Sequence, residues 1–129
     1  PVGEMSQLAQ AYAEALVNLT GLAAAVCDTE QIIALAGPVK KDLLHKPLSP
    51  QLEELVQGRR SFVTNSENTV LAAQNVPAAA VAVFPVVSLG DAMGAVMLIK
   101  GEKTSPKLSS EAAENVKAAA MFLSRQLEG

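Results

Sequence analysis

The residues able to do chemistry are few and scattered. His45 is the single histidine and Cys27 the single cysteine. A catalytic dyad or a metal site needs partners at defined distances. His45 lies between Leu44 and Lys46, beside Pro47, and an exposed or structural role is expected for it. Cys27 closes an apolar run next to Asp28. A neighbouring carboxylate raises a thiol's pKa and blunts its nucleophilicity, and a lone cysteine usually packs as a small hydrophobe. One cysteine forms neither an internal disulfide nor a Cys-based zinc site. Glu53 and Glu54 are adjacent on an expected helix, so they diverge and read as a solvated face. Gly90-Asp91-Ala92-Met93-Gly94 lacks the glycine pattern of a phosphate cradle. No nucleophile–base set emerges, so no enzyme, no metal and no cofactor is expected.

The basic residues are more suggestive. Lys40-Lys41 and Arg59-Arg60 are the only adjacent basic pairs. Arg59-Arg60 falls between an expected helix end and an expected strand. Arg60 with Lys40 or Lys41 could clamp an anionic effector through charge-assisted hydrogen bonds, so Lys40, Lys41, Arg59 and Arg60 are the candidate ligand-binding residues. The competing reading is a set of surface charges in ordinary salt bridges. The formal net charge is −3 and no basic stripe runs along the chain, which argues against nucleic-acid binding by these residues alone. Three Phe and one Tyr are the only aromatics, too few for a stacking platform.

These residues must be held by one domain covering residues 1–129, since a chain of this length buries roughly two-thirds of its surface on folding. Met5, Leu8, Tyr12, Ala15 and Leu19 mark one face of a helix from about Glu4 to Leu19, with Gly21 as its stop. Leu22 to Cys27 and Ile32 to Ala36 read as a β-hairpin around a polar turn. A short helical turn is expected around Lys41–Leu44. Ser49-Pro50 then gives an N-cap and a first-turn proline for a helix that buries Leu52, Leu55 and Val56 and ends at Gly58. Ser61 to Thr64 is an expected strand, and Asn65 to Asn75 has weak signals.

Ala79 to Val87 is apolar on both faces, with Val81 and Val83 expected on one and Ala82 and Phe84 on the other. It reads as a central strand covered twice. A turn at Gly90-Asp91 leads to a partner strand, Ala92 to Ile99, in which Gly94 signals a bulge or a close backbone approach. Gly101 to Leu108 is an expected connector, and Ser109 caps a last helix running to about Leu127. Thr69 to Gly90 carries no charged side chain, but Gln74, Asn75, Pro77 and Pro85 speak against a membrane span. Glu4 and Glu14 speak against a signal peptide, and the lone cysteine suits a reducing cytoplasm. The element order implies an α+β fold, with a mostly antiparallel sheet of about five to six strands and both terminal helices on one face.

Ala118 to Leu123 is an unbroken apolar run, and on a helix such a run points apolar groups in every direction. One side can meet the sheet, and the other asks for a second apolar surface. A homodimer through the terminal helices is therefore expected, with Leu8, Tyr12, Leu16, Val116, Ala119 and Leu123 in or beside a four-helix bundle. The alternative is that the two helices satisfy each other within one chain.

The segments "MSQLAQAYAEAL", "KKDLLHKPLSPQLEEL", "FPVVSLGDAMGAVMLIKGE" and "AAENVKAAAMFLSRQLE" together resemble the GAF-like C-terminal domain of the stage V sporulation protein T family, AbrB-type transcription regulators. The resemblance runs from Glu4 to Glu128. It implies a GAF-like fold, a ligand pocket between the sheet and the helices joining the second and third strands, and a role in late spore development. It also implies that DNA is bound through an N-terminal AbrB-like domain absent from this chain. The expected function is a small-molecule-sensing, dimerising regulatory domain. The alternatives are a structural oligomerisation module without ligand and a roadblock-like scaffold. The several-cysteine chemistry of GAF-type methionine sulfoxide reductases is out of reach of a chain with one cysteine.

Overall fold

The structure is a computed structural model and describes residues 2–65, 68–100 and 108–128. In chain order the elements are α1 (Val2–Thr20), β1 (Ala23–Cys27), β2 (Ile32–Ala36), a 3-10 turn (Lys41–Leu43), α2 (Pro50–Gln57), β3 (Phe62–Val63), β4 (Val70–Leu71), β5 (Ala79–Ser88), β6 (Asp91–Lys100) and α3 (Ser110–Glu128). The strands form one antiparallel sheet in the order β2-β1-β6-β5-β3, with β4 also pairing β5. The expected connector falls, apart from Leu108, outside the described residues.

Two apolar layers flank the sheet. On one face α1 lays down Met5, Ala9, Ala13 and Leu16, and α3 lays down Ala112, Val116, Ala119, Ala120 and Leu123. Both sets recur at helical spacing, which gives each helix one buried stripe. The α1 stripe is not the one expected from the larger side chains: of Met5, Leu8, Tyr12, Ala15 and Leu19 only Met5 is buried, Leu8 and Tyr12 are half-buried, and Ala15 and Leu19 are exposed. The other face is covered by Leu43 of the 3-10 turn, Leu52 and Val56 of α2, and Val70, Ala72, Ala73 and Val76 around β4. The caps are where the sequence places them. Ser109 Oγ accepts from the Ala112 amide at 3.0 Å. Ser49 Oγ accepts from the Leu52 amide at 3.0 Å and donates to Leu71 O at 2.5 Å, so one hydroxyl both starts α2 and pins β4.

Bulges correct the simple alternation expected of β5. Ala80 pairs with Ile99 and Ala82 with Leu98, so Val81 is an extra residue. Val81 and Ala82 consequently both face the terminal helices, while Val83 faces α2. Val81 and Val83 do not share a face, because a bulge reverses the parity of everything beyond it. The β5–β6 turn also sits one residue earlier than expected. Leu89 and Gly90 are its two central residues, with φ of 51° and 86°, the type I′ pattern suited to strand twist. Asp91 already belongs to β6. The short strand β4 was hidden in the weak-signal stretch, where two paired residues leave no periodicity to read.

The outer edge of β2 is closed by side-chain chemistry. The Gln10 amide of α1 donates to Leu35 O at 3.0 Å and accepts from Leu35 N–H at 3.2 Å. Further along the same strand the Ile32 amide donates to Lys46 O and the His45 amide donates to Ile32 O. His45 therefore serves through its backbone, in a left-handed conformation with φ of 68°, while its side chain is exposed.

Gly94 lies where β6 bulges against β5, one residue beyond its last pair with β1, Cys27 with Ala95. Val86 pairs with Gly94 and Val87 with Ala92, which leaves Met93 extra. A Cβ on Gly94 would sit 1.8 Å from Cys27 O, so no side chain fits. Cys27 itself is fully buried, and burial pushes its thiol up to about 12, with the Asp28 charge adding to the rise.

Even Gly94→Ala should cost about 3 kcal/mol or more, since backbone and not a side-chain tip blocks the methyl; urea denaturation will show this as a lower midpoint. Cys27 gives a second expectation. Its folded pKa of about 12 lies above the ordinary thiol value of 9.0, so its contribution is intact below pH 9 and is lost as pH rises toward 12. The slope is about 1.4 kcal/mol per pH unit across that window. Stability measured against pH for the wild type minus that for Cys27→Ala should show this fall, and a flat difference would contradict it.

Candidate functional site

The corner between α2 and β3 is the site's foundation. Gly58 caps α2 in a right-handed conformation, with φ of −82° and ψ of −1°. Arg59 follows in the left-handed region, at φ 54°. The Arg59 amide donates to Val56 O at 3.1 Å and the Arg60 amide to Leu55 O at 2.9 Å. This is the Schellman arrangement, in which the left-handed residue is usually glycine. Here it is an arginine.

The two arginines then part. Arg60 folds back along the helix, so that a Cβ on Gly58 would meet its Nε at 3.0 Å. A guanidinium there sits favourably against the negative end of the α2 dipole. Arg59 reaches the other way. Its Nε donates to Gly90 O at 2.8 Å, at the β5–β6 turn, and its Nη1 donates to Gln57 O at 3.1 Å. Two carbonyls thus hold the guanidinium in place.

A cleft of about 330 Å³ opens beside Arg59, between α3 and the β3 edge of the sheet. Arg59, Ser61 and Lys117 supply its polar wall, and Phe84, Pro85, Ala120 and Met121 its apolar one. Lys117, Ala120 and Met121 share a flank of α3 at spacings of three and one, which the 3.6-residue period places on one side. Ser124, one turn on, donates from its hydroxyl to Val87 O and seats that flank against β5. The cleft lies on the terminal-helix side of the sheet, whereas the resemblance implied a pocket on the side of α2.

The four basic candidates are not brought together. Lys41 starts the 3-10 turn and its Nζ donates to Gly37 O at 3.4 Å, with Lys40 just before it. Both follow β2, at one edge of the sheet, and Arg59 and Arg60 precede β3, at the other. Ala36 is in register with Ala24, Leu98 and Ala82, and Val83 with Phe62. Four strand spacings, roughly 19 Å, therefore separate the strand ends next to the two pairs. Of the four, Arg59 lines the cleft.

The six helix residues expected at a dimer seam also divide. Leu16, Val116, Ala119 and Leu123 are buried in the chain's own core, because their spacing is that of the stripe facing the sheet. Leu8 and Tyr12 are half-buried at its margin. Among the described residues, the large apolar side chains that stay exposed on these helices are Leu19, Met121 and Phe122, at 67 %, 58 % and 61 %.

The sequence reading missed Ser61, Phe84, Pro85, Lys117, Ala120 and Met121 as neighbours of Arg59. No spacing rule connects them, since they meet only when α3 docks on β5. A glycine placed one residue before the left-handed position was the one local hint. Among the described residues, no cluster of three or more His, Cys, Asp or Glu could hold a metal, and no helix is long and apolar enough to cross a membrane.

Comparison with known proteins gives a consistent picture. The second GAF domain of DevS from Mycobacterium smegmatis superposes with a TM-score of 0.67 at 18 % identity, covering 95 % of this chain and 91 % of that one. The cofactor-binding GAF domain of the nutrient sensor CodY from Clostridium difficile gives 0.56 at 12 % identity, covering 98 % and 92 %. These likenesses establish the GAF fold. Stage V sporulation protein T of Bacillus subtilis (strain 168) is 32 % identical over 130 aligned positions, covering 99 % of this chain and 71 % of that protein. The family model for the stage V sporulation protein T C-terminal, transcription factor, matches residues 4–128. With fold, relative and family model in agreement along almost its whole length, the chain belongs to the stage V sporulation protein T C-terminal family.

Proposed function

We propose that this regulatory GAF domain senses a small molecule and pairs with a second copy of itself, so that the two events are linked. The pairing rests on one observation. After α1 and α3 have covered the sheet, they still present Leu19, Met121 and Phe122 to water. Met121 and Phe122 flank the outward direction of α3, which Ala118 and Arg125 occupy. Apolar surface of this kind on a helix layer favours association, and an isologous contact lets the same patch meet its copy. Sensing draws support from the cleft beside Arg59 and from the structural relative whose name describes a cofactor-binding nutrient sensor. Met121 belongs both to the cleft and to the exposed helix surface. A ligand that prefers one setting of α3 would therefore shift the geometry of the pair, which is linkage between two sites. Contact with DNA, in this reading, falls to another part of the full-length protein, since these residues carry a net charge of −3. A purely structural pairing module is the second reading, and it leaves the cleft without a role.

Phe122→Glu separates pairing from folding, because the side chain is exposed. Ala119→Glu would not, because Ala119 is buried and a charge there would disrupt the chain's own core. Light scattering at micromolar concentration should show a dimer for the wild type and a monomer for Phe122→Glu, with unchanged far-UV circular dichroism. A wild-type monomer under those conditions would remove the physical basis of the linkage.

A further inference from the structure

The corner at Arg59 sets a steric preference aside. Any residue with a Cβ is strained at φ near +54°, and glycine is not. The chain has a glycine next door, at Gly58, in a conformation that every residue adopts. What the arginine offers in exchange for the strain is its side chain. Two of its five N–H groups are taken by Gly90 O and Gln57 O. Arg59 lines the cleft together with Ser61 and Lys117, and its remaining donors are not used by these two carbonyls.

We propose that this cleft binds a small organic monoanion, a carboxylate carrying a short apolar tail. The proposal rests on the sensing half of the function argued above and names its ligand class. The carboxylate sits on Arg59, whose planar fork matches two oxygens, with Lys117 as a second positive charge. The two backbone carbonyls that fix the guanidinium are themselves acceptors, and they disfavour the denser charge of a dianion. The tail lies along Phe84, Pro85, Ala120 and Met121. Met121 is adaptable enough to close over tails of different shape. A bound carboxylate would tie α3 to the α2–β3 corner and, through the Arg59–Gly90 bond, to the β5–β6 turn.

The test is a titration of the domain with hexanoate at millimolar concentrations, followed by amide chemical shifts. Shifts are expected at Arg59, Ser61, Lys117 and Met121, with hexanamide, the neutral counterpart, producing none. Arg59→Gly relieves the left-handed strain, so its melting temperature should hold or rise while its hexanoate affinity falls at least about tenfold. Lys117→Ala, at an exposed helix position, should weaken binding in the same direction. Equal binding of hexanamide, shifts unchanged in both variants, or no shifts at all would overturn the proposal. Inorganic phosphate moving the same amides at the same concentration would reduce the cleft to a simple anion hole and overturn the tail. Light scattering on the same samples separates the two readings. A dimer without a hexanoate response removes this cleft and keeps the pairing, and a response in a monomer does the reverse.

Discussion

The central strands β5, β6 and β1 are apolar on both faces, and water has to be kept from both. Every residue of β1, and every residue of β6 from Gly94 to Ile99, is buried. Antiparallel sheets often leave one face wet, so this double burial governs everything around it. It requires α1 and α3 in front, and the 3-10 turn, α2 and the β4 segment behind. It also requires the chain to turn a corner at the sheet edge, as it passes from α2 behind the sheet into β3. Arg59 stands at that corner, and its side chain reaches the helix-side cleft because of where the chain must cross.

Small side chains set how near the layers come. Ala9, Ala13, Ala119 and Ala120 of the helices meet Ala24, Ala34, Ala36 and Ala82 of the sheet. With so few large groups, close backbone approach does the work that aromatic rings do elsewhere. Gly94 is the extreme case, with the Cys27 carbonyl occupying the space where a Cβ would be. The same thinness explains why α3 keeps apolar residues on its outside. A run of six apolar residues from Ala118 to Leu123 is more than one narrow stripe against alanines can absorb.

Much of this is legible in the sequence. The helix spans, the Ser49-Pro50 and Ser109 caps, the first hairpin and the double burial of β5 are all local patterns, and local patterns survive folding. The buried face of α1 was not legible, because its alanines at 9 and 13 carry no more apolar signal than the exposed Ala15 and Leu19. Gly94 was legible as a close approach because a glycine inside a strand has few other reasons to be there. The bulge at Val81 was not, since a one-residue insertion is invisible in a run where every residue is apolar. The candidate site was read less well. Arg59 and Arg60 look alike in a sequence, and only the handedness of residue 59 sends one into the cleft and the other back over α2. The expected seam residues on α3, Val116, Ala119 and Leu123, lie on the stripe that its own sheet claims, and what α3 leaves exposed is Met121 and Phe122.

The amide of Gln10 is in effect a strand one residue long. It meets both hydrogen-bonding groups of Leu35 and stops β2 from recruiting another chain, as an exposed edge otherwise invites. The guard is mounted on α1, however, and is only as durable as that helix's hold on the sheet. Heat, or a cut in the loop after α1, that frees the helix would uncover apolar core and an open edge in a single event. Loss of solubility in this domain is therefore tied to the detachment of its first helix and does not wait for the sheet to melt.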